Sequence, residues 1–116
     1  MLSLPPSVRV FLCTEATDMR KGFDGLAALS GEVFEADPLS GHLFVFRNRK
    51  RDRVKVLWWD RSGYCLWYKR LESGRFHLPQ SEDGALEVCW ADLSLLLEGI
   101  DLRGAKRRKR FSLAKR

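Results

Sequence analysis

The sequence predicts an α+β fold: an antiparallel sheet of about four or five strands, packed by one long helix and followed by a short C-terminal helix. Three observations carry that expectation. Between positions 17 and 34 the apolar residues recur at helical spacing, whereas from 42 to 71 the chain breaks into three runs rich in Val, Phe, Trp and Tyr, each bounded by turn residues. A length of 116 residues with 45% hydrophobic content is enough to bury one core but not two.

Ser7 to Thr14 reads as a strand, with Val8, Val10 and Leu12 alternating against Arg9 and Phe11, and Pro5-Pro6 ahead of it excludes earlier ladder pairing. Thr17 is placed to cap a helix through the amides of Met19 or Arg20, and Asp18 complements the positive end of the helix dipole. Met19, Phe23, Leu26, Ala27, Val33 and Phe34 then share one face, which carries the helix to Phe34. Gly22, Gly25 and Gly31 each cost such a helix up to about 1 kcal/mol relative to Ala, so it depends on tertiary contacts.

Asp37-Pro38-Leu39-Ser40-Gly41 is a turn by composition. Strands follow at His42 to Arg47, Arg53 to Trp59 and Tyr64 to Leu71, joined by Asn48 to Asp52 and by Asp60-Arg61-Ser62-Gly63, with a short fourth strand at Arg75 to Leu78. Strand alternation puts Val54, Val56 and Trp58 on one face, and Arg53, Lys55, Leu57 and Trp59 on the other. Leu86-Glu87-Val88 reads as an edge strand, and Ala91 to Glu98 as a closing helix with Leu93, Leu96 and Leu97 inward and Gly99 as its left-handed cap.

Charge divides the chain more sharply than hydropathy does. Of 21 Lys and Arg against 15 Asp and Glu, eight basic residues and no acid fall in Arg103 to Arg116, which leaves 13 against 15 in residues 1–102. The expected organisation is therefore one domain over 1–102 and a disordered basic tail over 103–116. Lys106-Arg107-Arg108-Lys109-Arg110 is dense enough in one sign to read as an arm for a polyanion, nucleic acid first, although basic tails also serve solubility or acidic partners. Gly104 to Arg116 has no apolar helical stripe and no stretch approaches the length of a membrane span, so a soluble cytoplasmic protein is expected.

A second basic cluster lies inside the domain: Arg47, Arg49, Lys50, Arg51, Arg53 and Lys55, on a hairpin tip and its flanks. Such a hairpin fits a groove or a phosphate backbone, and Trp58, Trp59, Trp67 and Tyr68 nearby offer either stacking faces or ordinary core. The same residues are also what a solvated turn above an aromatic core looks like.

Catalytic chemistry has little to stand on. A two-metal nuclease needs two or three converging carboxylates. Asp60 and Glu72 are explained as turn residues and Asp18 as dipole compensation, with Asp24 the other acid beside a regular element. Gly22-Phe23-Asp24-Gly25 lies in a helical pattern without a following Lys-Ser/Thr, so it is no phosphate loop. Cys13, Cys65 and Cys89 are too widely spaced for a zinc site and odd in number for a disulfide framework, and His42 and His77 have no ligand pattern around them. The reading is a non-enzyme with no cofactor and no metal.

Several strings together resemble the small TnpB-type accessory proteins encoded by the second reading frame of bacterial insertion sequences of family 66. They are Thr17 to Leu26, Ser40 to Phe46, Lys55 to Asp60, Leu66 to Glu72, Gly74-Arg75-Phe76 and Leu95 to Asp101, in the family's order over nearly the whole chain. The resemblance implies a cofactor-free helper of transposition, made beside a larger transposase that carries the acidic catalytic residues. Where that family commonly has Thr-Pro before the last helix, this chain has Cys89-Trp90, which removes the usual cap. Two roles follow as expectations: a module that binds DNA at the element ends, or an adaptor that contacts the transposase or another element-encoded protein without touching DNA.

Overall fold

The computed structural model describes residues 7–99; the basic tail expected over 103–116 lies outside them. The elements run β1 (Val10–Ala16), α1 (Phe23–Phe34), β2 (Leu43–Arg47), β3 (Arg53–Asp60), β4 (Gly63–Arg70), β5 (Ala85–Val88) and α2 (Trp90–Leu97). The class is α+β as expected, but the sheet is mixed. Its order is β4-β3-β2-β1-β5, with β1 and β2 parallel and every other pair antiparallel. Helix α1 carries the chain back to the end of the sheet where β1 began, so the next strand has to run in the same direction.

Both faces of the sheet are buried, which is why all five residues of β2 are covered. One row of cross-strand neighbours, Leu86, Leu12, Val45, Val56 and Trp67, crosses all five strands. It packs under Leu93, Leu96 and Leu97 of α2 and under Phe76 and Leu78. On the opposite face Phe44 and Leu57 lie beneath Leu26 and Ala27 of α1, with Phe11 and Leu66 beside them. The result is three layers, helix–sheet–helix, with a second cover where the expectation had one long helix.

The helix expected from Thr17 starts at Phe23, and two competing sets of hydrogen bonds explain the delay. Asp18 accepts from the Arg20 amide at 2.9 Å through its side chain and from the Lys21 amide at 3.1 Å through its backbone, closing a turn. Lys55 Nζ then donates to the carbonyls of Met19 at 2.7 Å and Lys21 at 2.8 Å, two groups that a continued helix would have used itself. Thr17 is buried with its hydroxyl toward Cys13 Sγ at 3.9 Å and caps nothing. Phe23, assigned to the apolar face, is 49% exposed at the first helical position.

The fourth strand expected at Arg75 to Leu78 does not form. Phe76 and Leu78 are buried as side-chain plugs on the α2 side of the sheet, while the Phe76 amide donates to the Arg51 carbonyl at 2.6 Å. The segment therefore props the β2–β3 connection and adds nothing to the sheet edge. Helix α2 starts at Trp90 with no side-chain cap from Cys89, in keeping with the missing Thr-Pro.

Candidate nucleic-acid interface

The β2–β3 connection is held by one asparagine. Asn48 Oδ1 accepts from the amides of Asp52 at 3.1 Å and Arg53 at 3.0 Å, and its Nδ2 donates to Asp52 Oδ1 at 2.6 Å. Asp52 sits below the usual carboxylate range, chiefly because of that Asn48 bond. Arg51 takes φ 62°, a left-handed conformation that costs a residue bearing a Cβ about 1 kcal/mol or more. From outside, the Leu71 amide donates to the Asp52 carbonyl at 2.8 Å and Phe76 to that of Arg51. The tip is thus a built loop, pinned from three directions, that presents Arg49 and Lys50 to solvent.

The hairpin's six basic residues do not share one fate. Arg47 and Lys55 lie inside, each 7% exposed. Arg47 donates to the Thr14 carbonyl through Nη2 and to the Asn48 carbonyl at 3.3 Å through Nη1, and burial lowers its pKa. Lys55 grips the turn before α1 and lies 4.7 Å from the centroid of the Tyr68 ring. Arg49 and Lys50 are exposed, and Arg51 and Arg53 are half-buried. Of the sequence-derived candidates Lys106, Arg107, Arg108, Lys109 and Arg110, all lie outside the described residues.

Sequence reasoning missed Arg70. It stands directly opposite Arg53 across the β3–β4 ladder and adds charge to the same edge. The aromatics divide: Trp58 and Trp67 pack against the α2-side core, Trp59 meets Tyr64 edge-on at 5.1 Å, and Tyr68 stays 47% exposed. The opposite edge of the sheet has the other sign. Glu32, Glu35, Asp83 and Glu87 rim a groove of about 460 Å³ between α1 and β5, Glu87 being paired with Arg9 at 2.6 Å, so the balance of charge there is acidic.

Among the described residues there is no group of three or more His, Cys, Asp or Glu placed to hold a metal, and no helix is long and apolar enough to cross a membrane. The three cysteines are free. Asp18 and Glu72 are spent on Arg20 and Arg70, at 2.7 and 2.9 Å. Asp18 is lowered from 3.8 to about 2 by hydrogen bonds from the Arg20 side chain and amide. A carboxyl depressed in the fold contributes stability above its ordinary range and loses it as pH falls through the folded value. Acid titration followed by NMR should therefore give Asp18 a midpoint near 2, with the Arg20 amide moving in step; Asp18→Asn removes that transition. Because the pair is exposed, global stability should change little.

The described residues form an α+β domain, a five-stranded mixed sheet between two helices with basic residues gathered at its β3–β4 edge. The family model described as IS66 Orf2-like protein matches residues 8–107, and the chain belongs to that family. The family points to an accessory role associated with transposition. Two proteins of Sinorhizobium fredii are similar: uncharacterized protein y4hO, 50% identical over 103 residues covering 89% of this chain and 90% of that one, and uncharacterized protein y4jC, 41% identical over 108 residues covering 93% and 92%. No solved structure matches the chain.

Proposed function

We propose that this chain is a non-catalytic accessory of family-66 transposition that binds DNA at the element ends through the β2–β3 hairpin and the basic segment 103–116, leaving strand chemistry to a separate transposase. The observation that supports this reading is the pinned tip. A loop stabilised by Asn48 and buttressed by Leu71 and Phe76 holds Arg49 and Lys50 in solvent, with Arg51, Arg53 and Arg70 behind them. Folding alone gives no reason for like charges to be gathered on so rigid a support; phosphate contact does.

Titration of the full chain against duplex DNA at several salt concentrations tests it. Log affinity should fall steeply with log salt, by about 0.9 per phosphate contact. Reversing the two exposed tip charges, Arg49→Glu with Lys50→Glu, should lower affinity about tenfold or more at low salt and flatten the slope, with the melting temperature unchanged. A flat slope in the unaltered chain rejects the DNA reading, and reversal without effect removes the hairpin from it.

A second reading, an adaptor without DNA contact, is favoured by one feature: Trp67, Trp90 and Leu97 line an open groove of about 240 Å³ on the α2 side, with Lys69 and Glu98 at its rim. Half-buried tryptophans are strong anchors for a protein partner. If the slope is flat, the partner should be sought at this groove.

A further inference from the structure

Within the basic edge, four residues form a square in which Lys55 serves the fold by holding the turn before α1, while Arg53, Tyr68 and Arg70 reach the surface. Arg53 faces Arg70 and Lys55 faces Tyr68 across the β3–β4 ladder, and strand alternation puts all four on the α1 side of the sheet. Like charges directly opposite one another in a sheet are destabilising. Arg53 is diverted onto Tyr68, donating from Nη1 to the phenol oxygen at 3.1 Å, and Arg70 onto Glu72 at 2.9 Å. The ring is fixed from two sides, by Arg53 at its hydroxyl and by the Lys55 ammonium 4.7 Å from its centroid, yet it remains 47% exposed. Arg53, Tyr68, Arg70 and Glu72 together line an open cavity of about 330 Å³.

From this geometry we infer that the Arg53–Tyr68–Arg70 cavity is a site for an unpaired nucleotide of single-stranded nucleic acid, its base stacked on Tyr68 and its phosphate held between Arg53 and Arg70. The inference rests on the nucleic-acid reading above and deepens it from phosphate contact to recognition of an unstacked base. A fixed, exposed ring beside two guanidinium groups supplies the two things such a nucleotide needs, a stacking face and an anion clamp. An intact duplex offers the phosphate but not the base face. Glu72 occupies Arg70 in the empty site, and a phosphate entering the clamp displaces it.

The test compares three fluorescent 20-nucleotide probes with the full chain by anisotropy: a thymidine single strand, an abasic strand with the same number of phosphates, and a duplex. The thymidine strand should bind about tenfold or more tighter than the abasic strand. Tyr68→Leu should abolish that difference while leaving abasic and duplex affinities in place; Tyr68→Phe should keep it. Glu72→Gln should strengthen binding of all three probes. Equal affinity of the unaltered chain for thymidine and abasic strands overturns the inference whatever the variants do, and so does a Tyr68→Leu loss shared equally by the duplex. Duplex binding without base dependence leaves the broader DNA reading standing; failure to bind any probe removes both.

Discussion

Phe44→Ala should lower the stability of the domain by about 3–5 kcal/mol, the range for truncating a fully buried aromatic side chain. Phe44 is 0% exposed on the central strand β2. Its ring lies 5.7 Å from Phe11 of β1 and 5.5 Å from Phe34 at the end of α1, both in stacked arrangements. The loss therefore opens a cavity where two strands and a helix meet, and removes one of the ring contacts of Phe34, which also meets Phe11 and Phe46. Urea unfolding should show the midpoint falling with the slope unchanged, as for a native-state cavity. A loss under about 1 kcal/mol would mean that α1 settles into the vacated space, and that the Phe11–Phe34 contact at 5.5 Å suffices to hold it.

Lys55→Met should cost about 2–4 kcal/mol by a different route. Methionine reproduces the apolar stem of lysine but cannot donate, so the carbonyls of Met19 and Lys21 lose charge-assisted bonds of 2.7 and 2.8 Å at a site where Lys55 itself is 7% exposed. The damage should be directional. Amide exchange should accelerate at Leu26, whose N–H donates to the Gly22 carbonyl at 2.9 Å, and at Ala27 and Ala28 after it, since the turn that delivers the chain into α1 is what Lys55 ties to β3, while the β1–β5 pairing at the far side of the sheet keeps its protection. A loss below about 0.5 kcal/mol, or uniform acceleration across the sheet, would rule out that anchoring role.

Lys55 also shows what a sequence reveals and what it conceals. Its position on the strand face shared with Arg53, Leu57 and Trp59 is legible from alternation alone, and the structure agrees. Its use is not, because the acceptors are backbone carbonyls more than thirty residues away, and backbone groups leave no mark on a sequence pattern. A Lys in a basic run reads as surface unless its partner is known, and Arg47, bound to the carbonyl of Thr14, misleads in the same way. The strands β2, β3 and β4 were visible within a residue or so because aromatic and β-branched runs between turn signals are local information. The direction of β1 was not, since periodicity says which face is buried but not which neighbour a strand takes. Arg70, by contrast, was within reach: the two-residue connection Arg61-Ser62 fixes the β3–β4 register and with it the pairing of Arg53 to Arg70.

The placement of β1 has a consequence for how the chain comes to be folded at all. Val10 pairs with Leu43 on one side and with Val88 on the other, so the first strand made acquires its second neighbour from almost the last segment of the domain. On a translating ribosome, residues 10–13 remain an open ladder edge until 85–88 have left the exit tunnel. Joining partners that far apart in sequence pays the loop-closure entropy before any pairing rewards it. The β1–β5 ladder is therefore the last of the sheet that synthesis can complete, and a nascent chain stalled before β5 presents an unprotected strand to its neighbours on the polysome.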